Sequence, residues 1–209
     1  AQQQAELLGQ RYQLVITNVP YLARGKQTDV LRDFCERHYD YAKSDLANVF
    51  LERCLELSTV KGAVQIVMPQ NWLFLTSYKK QREHLLKTVS WNLLARLGAG
   101  AFDTISGEVV NVILLTLTRA KPTESFLLFG LDASVSRTVQ DKAEELQCGV
   151  LIPLPQKKQL DNPNHAVSLE DFGGLKRLGE YAYVRGGITT GDSPRYRKVF
   201  WDVCLSERW

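Results

Sequence analysis

Apolar residues along the chain fall into short runs that alternate with stretches of helical spacing. Tyr12 to Thr17 is rich in β-branched residues and predicts a buried strand. It stops at Asn18-Val19-Pro20-Tyr21, before a loop with Gly25. Ahead of it, Ala1 to Leu8 reads as the end of a helix closed by Gly9. Thr28 is placed to cap a helix to about Tyr39, with Asp29 and Asp33 favouring its first turn. Ser44 or Asp45 caps the next helix. There Leu46, Val49, Phe50, Cys54 and Leu57 define an inward face, and Lys61-Gly62 ends the unit. Ala63 to Met68 predicts a second buried strand stopped by Pro69, and Ser77 to Thr88 a polar amphipathic helix. Trp91 to Leu97 predicts a third strand. A loop, Gly98-Ala99-Gly100-Ala101, leads to Phe102. Glu108 to Thr118 then reads as a long strand, with Ser125 to Phe129 as its hairpin partner across Lys121-Pro122.

Strands alternating with helices predict an α/β sheet with helical crossovers. The pattern weakens after Gly130. Val135 to Gln147 reads as one more helix, and Leu151 to Gly174, rich in Pro, Asn and Asp, as a linker. The expected organisation is a sheet-bearing domain over 1–150, a linker over 151–174 and the start of a second, partly β domain over 175–209. The opening lacks Met and begins in mid-pattern, as an excised piece of a longer chain would.

Composition narrows the class. At 44% hydrophobic and 23% charged, the chain is neither disordered, collagen-like nor a disulfide miniprotein. No apolar run is long enough to span a bilayer, and residues 1–10 lack the features of a signal peptide. Cys35, Cys54, Cys148 and Cys204 form no C-x-x-C pair, and His38, His84 and His165 stand apart. Buried free thiols in a reducing cytoplasm are expected rather than a metal site. The net charge of +3 says little, but its distribution says more. Lys176, Arg177, Arg185, Arg195, Arg197 and Lys198 face only Glu180 and Asp192, among Tyr181, Tyr183, Tyr196, Phe200 and Trp201. That mixture suits a nucleic-acid backbone or a solvated face.

The turn after the first strand carries the candidate chemistry. In open α/β sheets, ligands bind outside the carboxyl ends of strands. An Asn side-chain oxygen and the next backbone carbonyl can both accept from one exocyclic NH2. That pushes lone-pair density onto its nitrogen. Pro20 rigidifies the turn, and Tyr21 offers a flat face for a base. An amine conjugated to a ring is a poor nucleophile, so positioned acceptors act on it by orientation and electrostatics. The same four residues also serve as a plain stop after a strand.

The stretch Leu14-Val-Ile-Thr-Asn-Val-Pro-Tyr21, followed by Leu22-Ala-Arg-Gly-Lys26, resembles the Asn-Pro-Pro-Tyr loop of amino-methyltransferases. It looks in particular like the gamma-class DNA N6-adenine methyltransferases of the large fused restriction-modification and BREX-like phage-defence type. Asp45 to Glu56 resembles that family's helix after the catalytic loop, and Lys61 to Trp72 its next strand and loop. Leu97 to Phe102, then Val109 to Leu115, resembles its late aromatic motif and β-hairpin. Gly187 to Asp192 with Arg195-Tyr196 looks like the opening of a target-recognition domain. The resemblance implies a partial Rossmann-like methyltransferase sheet acting on double-stranded DNA, with S-adenosylmethionine as cofactor and fused or associated nuclease or defence subunits as possible partners.

It also implies roles. Asn18 would hold the adenine amino group through its side chain and Val19 through its carbonyl. Pro20, with Asn18, would border the cofactor's methyl group. Tyr21 would stack on a base flipped from the duplex, and Phe102 would meet its other face or edge. Trp72, expected at a strand's carboxyl end, and Arg24 and Lys26, within reach of phosphate, would complete the substrate contacts. Asp45 would help shape the pocket. Tyr39, Tyr41 and Phe74 are candidates for either core or channel. Glu108 reads as surface, and His38 and His84 as exposed.

Two features depart from the family pattern. Val19 stands where Pro is usual, which keeps the carbonyl acceptor and loses rigidity. The Phe-x-Gly-x-Gly loop that holds the cofactor does not precede Tyr12. Rival readings are a methyltransferase acting on protein glutamine or RNA, and a noncatalytic DNA- or partner-binding subunit. The chain alone is expected to bind S-adenosylmethionine weakly or not at all. Isothermal titration calorimetry checks this, and micromolar affinity would contradict it.

Overall fold

The computed structural model describes residues 2–102, 110–136, 138–170 and 181–182. The chain divides into two units, Ala1–Asp171 and Phe172–Trp209. The expected recognition-domain start at 175–209, the basic-aromatic tail and Glu108 lie almost wholly outside the described residues.

The first unit is a helix-flanked sheet in the order β1-β2-β4-β3-β5-β6. Its strands are β1 (Tyr12–Asn18), β2 (Ser58–Pro69), β3 (Ser90–Gly98), β4 (Val112–Thr118), β5 (Leu127–Asp132) and β6 (Ile152–Pro155). β1 runs parallel to β2. β4 lies antiparallel between β2 and β3. β3 runs parallel to β5, and β6 closes the far edge antiparallel. The carboxyl ends of β1, β2, β3 and β5 therefore meet on one edge of the sheet.

Helices α1 (Gln2–Gly9), α2 (Asp29–His38), α3 (Leu46–Leu57), α4 (Lys79–Thr88) and α5 (Val139–Cys148) complete the unit. Thr28 caps α2, its side chain accepting from the Leu31 N–H at 3.4 Å. Asp29 in the first turn and Arg37 and His38 in the last complement the helix dipole. Asp45, rather than Ser44, caps α3. The main core joins Leu51, Cys54 and Leu55 of α3 to Val64, Ile66 and Met68 of β2, Leu94 of β3 and Leu115 of β4. Phe50 and Leu57 lie outside the buried face of α3, which instead uses Ala47, Leu51 and Leu55. Cys35 and Cys54 are buried as expected, whereas Cys148 is exposed.

Several sequence expectations are corrected. β1 is an edge strand, and Leu14 and Ile16 on it are 57% and 65% exposed. β2 begins at Ser58 and runs through Lys61 and Gly62, which lie in an irregularity of the β1–β2 register rather than ending the unit. The segment 125–129 does not pair with β4, because β2 and β3 already occupy both of β4's edges. β5 pairs with β3 instead, so the hairpin of this sheet is β3–β4.

Residues 151–170 are not a linker. β6 pairs with β5, and its prolines are tolerated because an edge strand leaves one row of N–H positions unused. Gln156 is buried; its side chain accepts from the Trp91 N–H at 2.8 Å and donates to the Leu86 and Val89 carbonyls. The buried Arg82 guanidinium donates to the carbonyls of Trp72, Leu75, Asn164 and His165, tying this segment to α4. Burial lowers its pKa to about 10, so it stays charged at neutral pH. Among the described residues, no helix is long and apolar enough to cross a membrane.

Candidate active site

β1 delivers Asn18 to the carboxyl edge, in register with Val67 of β2. Its side chain is exposed and makes no hydrogen bond among the described residues. The next side chain, Val19, is buried in the main core, so the turn is anchored by apolar packing where a proline ring would stiffen it covalently. Pro20 is exposed beyond it. Tyr21 is half-buried and packs against both the main core and a smaller cluster built on Ala95, Leu97, Val112, Leu131 and Ala133.

Phe102 packs against that same smaller cluster. The reason is topological. With β4 antiparallel between β2 and β3, β3 runs parallel to β1, so both strands end on the same edge. Asn18 and Tyr21 thus share one end of the sheet with Phe102, which is distant in sequence.

A second layer fixes the turn. The Asp45 carboxylate accepts from the Ala47 N–H at 2.9 Å, capping α3, and from the Leu22 N–H at 3.4 Å. Backbone bonds run alongside, from Arg24 N–H to Ser44 O at 3.0 Å and from Leu46 N–H to Leu22 O at 3.0 Å. Gln27 donates to the Leu22 carbonyl at 3.2 Å. The Tyr21 hydroxyl is buried without a partner among the described residues. Burial, reinforced by the Asp45 charge, pushes its pKa up to about 12. Tyr78, buried nearby in the core, is pushed up to about 12 by the same two causes. Both rings are therefore neutral phenols at physiological pH.

The other expected contacts divide. Arg24 and Lys26 are exposed in a short 3-10 turn, Arg24–Lys26. Arg24 is ion-paired to Glu36, so a phosphate would compete with that carboxylate. Trp72 is corrected: it is 0% exposed and packs on Trp91, ring centroids 5.6 Å apart. It presents no face to a substrate. Tyr39 is likewise buried, whereas Tyr41 and Phe74 are exposed. His38 and His84 are exposed as expected.

Asn18 and Pro20, uncovered at the end of an edge strand, fit one side of the S-adenosylmethionine site that the loop motif implies. They offer an amide and an imino ring next to an open strand flank. Sequence reasoning undervalued Asp45. Its N-cap spacing was visible, but its second bond to Leu22, across 23 residues, was not.

Residues 2–102 match the model of the Eco57I restriction-modification methylase family. The adenine-specific methyltransferase PglX of Lacticaseibacillus casei (strain Zhang) is 35% identical over 116 residues, 54% of this chain and 9% of that protein. The adenine-specific methyltransferase BrxX of Escherichia coli O9:H4 (strain HS) is 39% identical over 108 residues, 52% of this chain and 9% of that protein. The matched segment thus spans about a tenth of the length of these relatives. Among solved structures, the methyltransferase subunit of a type I restriction-modification system from Streptococcus thermophilus superposes with a TM-score of 0.56 at 16% identity. It covers 76% of this chain and 37% of that one. The DNA-bound type ISP restriction-modification enzyme LlaBIII gives 0.53 at 13% identity, covering 70% and 12%. The fold is that of the methyltransferase α/β sheet.

Asp45→Ala removes the α3 cap and the Leu22 contact together. It is expected to cost about 1–3 kcal/mol of stability, read by thermal or urea denaturation. An unchanged midpoint would contradict the stapling role.

Proposed function

We infer that the chain is part of a DNA adenine-N6 methyltransferase, working in restriction-modification or phage defence. The observation that carries this reading is the exposed Asn18 side chain, without a hydrogen-bond partner among the described residues, beside Tyr21, on the edge where Tyr21 and Phe102 share one cluster. The named function of the two adenine-specific relatives supports it.

In this reading a target adenine leaves the duplex, and Tyr21 and Phe102 offset part of the lost stacking. The Asn18 Oδ1 and the Val19 carbonyl each accept one N–H of the exocyclic amine. The two acceptors orient the nitrogen lone pair and stabilise the positive charge that grows on nitrogen as it attacks. Bound S-adenosylmethionine would supply the electrophilic methyl group and leave as the neutral thioether, with the proton that the methylated amine sheds passing to solvent. The neutral Tyr21 phenol adds no charge near the developing cation. Arg24 and Lys26, exposed in their turn, would contact phosphate of the bound duplex, Arg24 by exchanging Glu36 for it. Double-stranded DNA is the proposed partner, with nuclease or other defence subunits fused or associated.

Methylation by the intact protein, with tritiated cofactor and a duplex bearing its site, tests the reading. Asn18→Ala is expected to lower kcat by on the order of 100-fold or more, while duplex affinity stays within a few fold. Equal methylation by wild type and variant would refute the role of Asn18. DNA binding with no methylation by the wild type would favour the noncatalytic rival, and transfer only to RNA or a glutamine peptide would favour the other.

A further inference from the structure

A second cleft opens on the same edge of the sheet, at the ends of β3 and β5, with a volume of about 680 Å³. Its walls are the Gly98–Gly100 loop, Arg96, Gln70, Asn111 and the Ser134–Ser136 turn. None of the roles assigned above uses it. Gly98 and Gly100 both hold left-handed backbone, with φ of 66° and 67°. At Gly98 a Cβ would stand 2.8 Å from the Ser134 Cβ, so the two walls approach closely only because this residue is glycine.

Arg96 is the one charged side chain that lines the cleft among the described residues. Arg96 pairs with Asp132 at 3.2 Å, and its Nε is buried with no partner. Beneath the walls lies Lys142, 3% exposed, donating to the Leu97 carbonyl at 2.6 Å and the Ala133 carbonyl at 3.2 Å. No carboxylate among the described residues pairs with it. Lys142 thus braces the two walls from below, and Arg96 is the cation that faces the cleft. Hydroxyls of Ser134 and Ser136 and the amides of Gln70 and Asn111 complete a donor-rich lining without an aromatic ring. Such a lining suits a backbone phosphate and offers no platform for a stacked base.

We propose that this cleft binds a phosphodiester of the substrate DNA, a few nucleotides from the adenine that Asn18 receives, with Arg96 as its principal donor and Asp132 as a competing internal anion. The inference rests on the DNA-methyltransferase reading above. β1 and β3 are three strand spacings apart, about 14 Å, which is the span of roughly four nucleotides along one strand. Asp132 also accepts from the Ser134 N–H at 2.9 Å, which orients the turn that forms one wall.

The two members of the ion pair give opposite expectations. Titration of a fluorescent duplex by the intact protein, over a series of salt concentrations, is the test. Arg96→Gln weakens binding by about tenfold, reduces the salt slope by about one and raises KM for DNA with little change in kcat. Asp132→Asn keeps the oxygen that accepts from Ser134 and releases Arg96, so binding tightens by several fold. A single methylphosphonate, walked along the duplex, finds one position that weakens wild type and leaves Arg96→Gln unaffected. A merely structural ion pair would make both variants lose affinity together, which overturns the proposal. Unchanged affinity and slope in Arg96→Gln, with methylation intact in the wild type, overturns the subsite and leaves the methyltransferase reading standing. Inorganic phosphate that competes with the duplex in the wild type and not in Arg96→Gln, with no methylphosphonate position sensitive, assigns the cleft to a free anion and also overturns it. A wild type that neither binds nor methylates a duplex overturns the underlying reading as well.

Discussion

One carboxylate sits at the joint of the candidate site. Asp45 begins α3 by accepting from Ala47 and, with its other contact, holds Leu22, the residue after the Tyr21 ring. The two bonds share one carboxylate oxygen, at 2.9 and 3.4 Å, and together contribute about 1–3 kcal/mol. The turn from Asn18 to Tyr21 is thereby tied to a helix whose inner face lies in the main core. Val19 adds an apolar anchor from below. The Asn18 amide is exposed, with no partner among the described residues, while Val19 and Leu22 beyond it are held by packing and by hydrogen bonds.

The second constraint is the path of the sheet. β3 carries the chain to the carboxyl edge at Phe102, and β4 then runs back between β2 and β3, filling the centre of the sheet. With β4 inserted, β3 lies three strand spacings from β1, and because the two strands run parallel both exits fall on the same edge. The same arrangement brings Arg96, Asp132 and the Gly98 loop together beside the candidate site. Both groups of residues face the same direction, and a long polyanion lying along that edge could meet both.

Local patterns were legible in the sequence. Thr28 and Asp45 announce their helices by cap chemistry, and the apolar runs at 12–17, 63–68 and 91–97 are strands. The Asn18-Val19-Pro20-Tyr21 turn stands where the strand pattern ends. Long-range order was not legible. Nothing local says that β4 has both edges filled or that 125–129 must look to β3 for a partner. The prolines at 153 and 155 read as linker because edge-strand tolerance depends on a neighbour 20-odd residues away. Trp72 misled for a similar reason: its position after Pro69 is right for a strand end, but Trp91 closes over it from another strand. Arg96, Asp132 and Lys142 carry no motif at all, since only the sheet brings them together.

The central claim is that the turn after β1 offers two oxygens to an aromatic amine and a ring to its base. A structure of the intact protein on a duplex containing its methylation site measures this directly. The account predicts the adenine out of the helix, its amino nitrogen within about 3 Å of the Asn18 Oδ1 and the Val19 carbonyl, and its ring against Tyr21. An adenine that remains stacked in a productive complex, or that is held elsewhere while Asn18 turns into the protein, would contradict it.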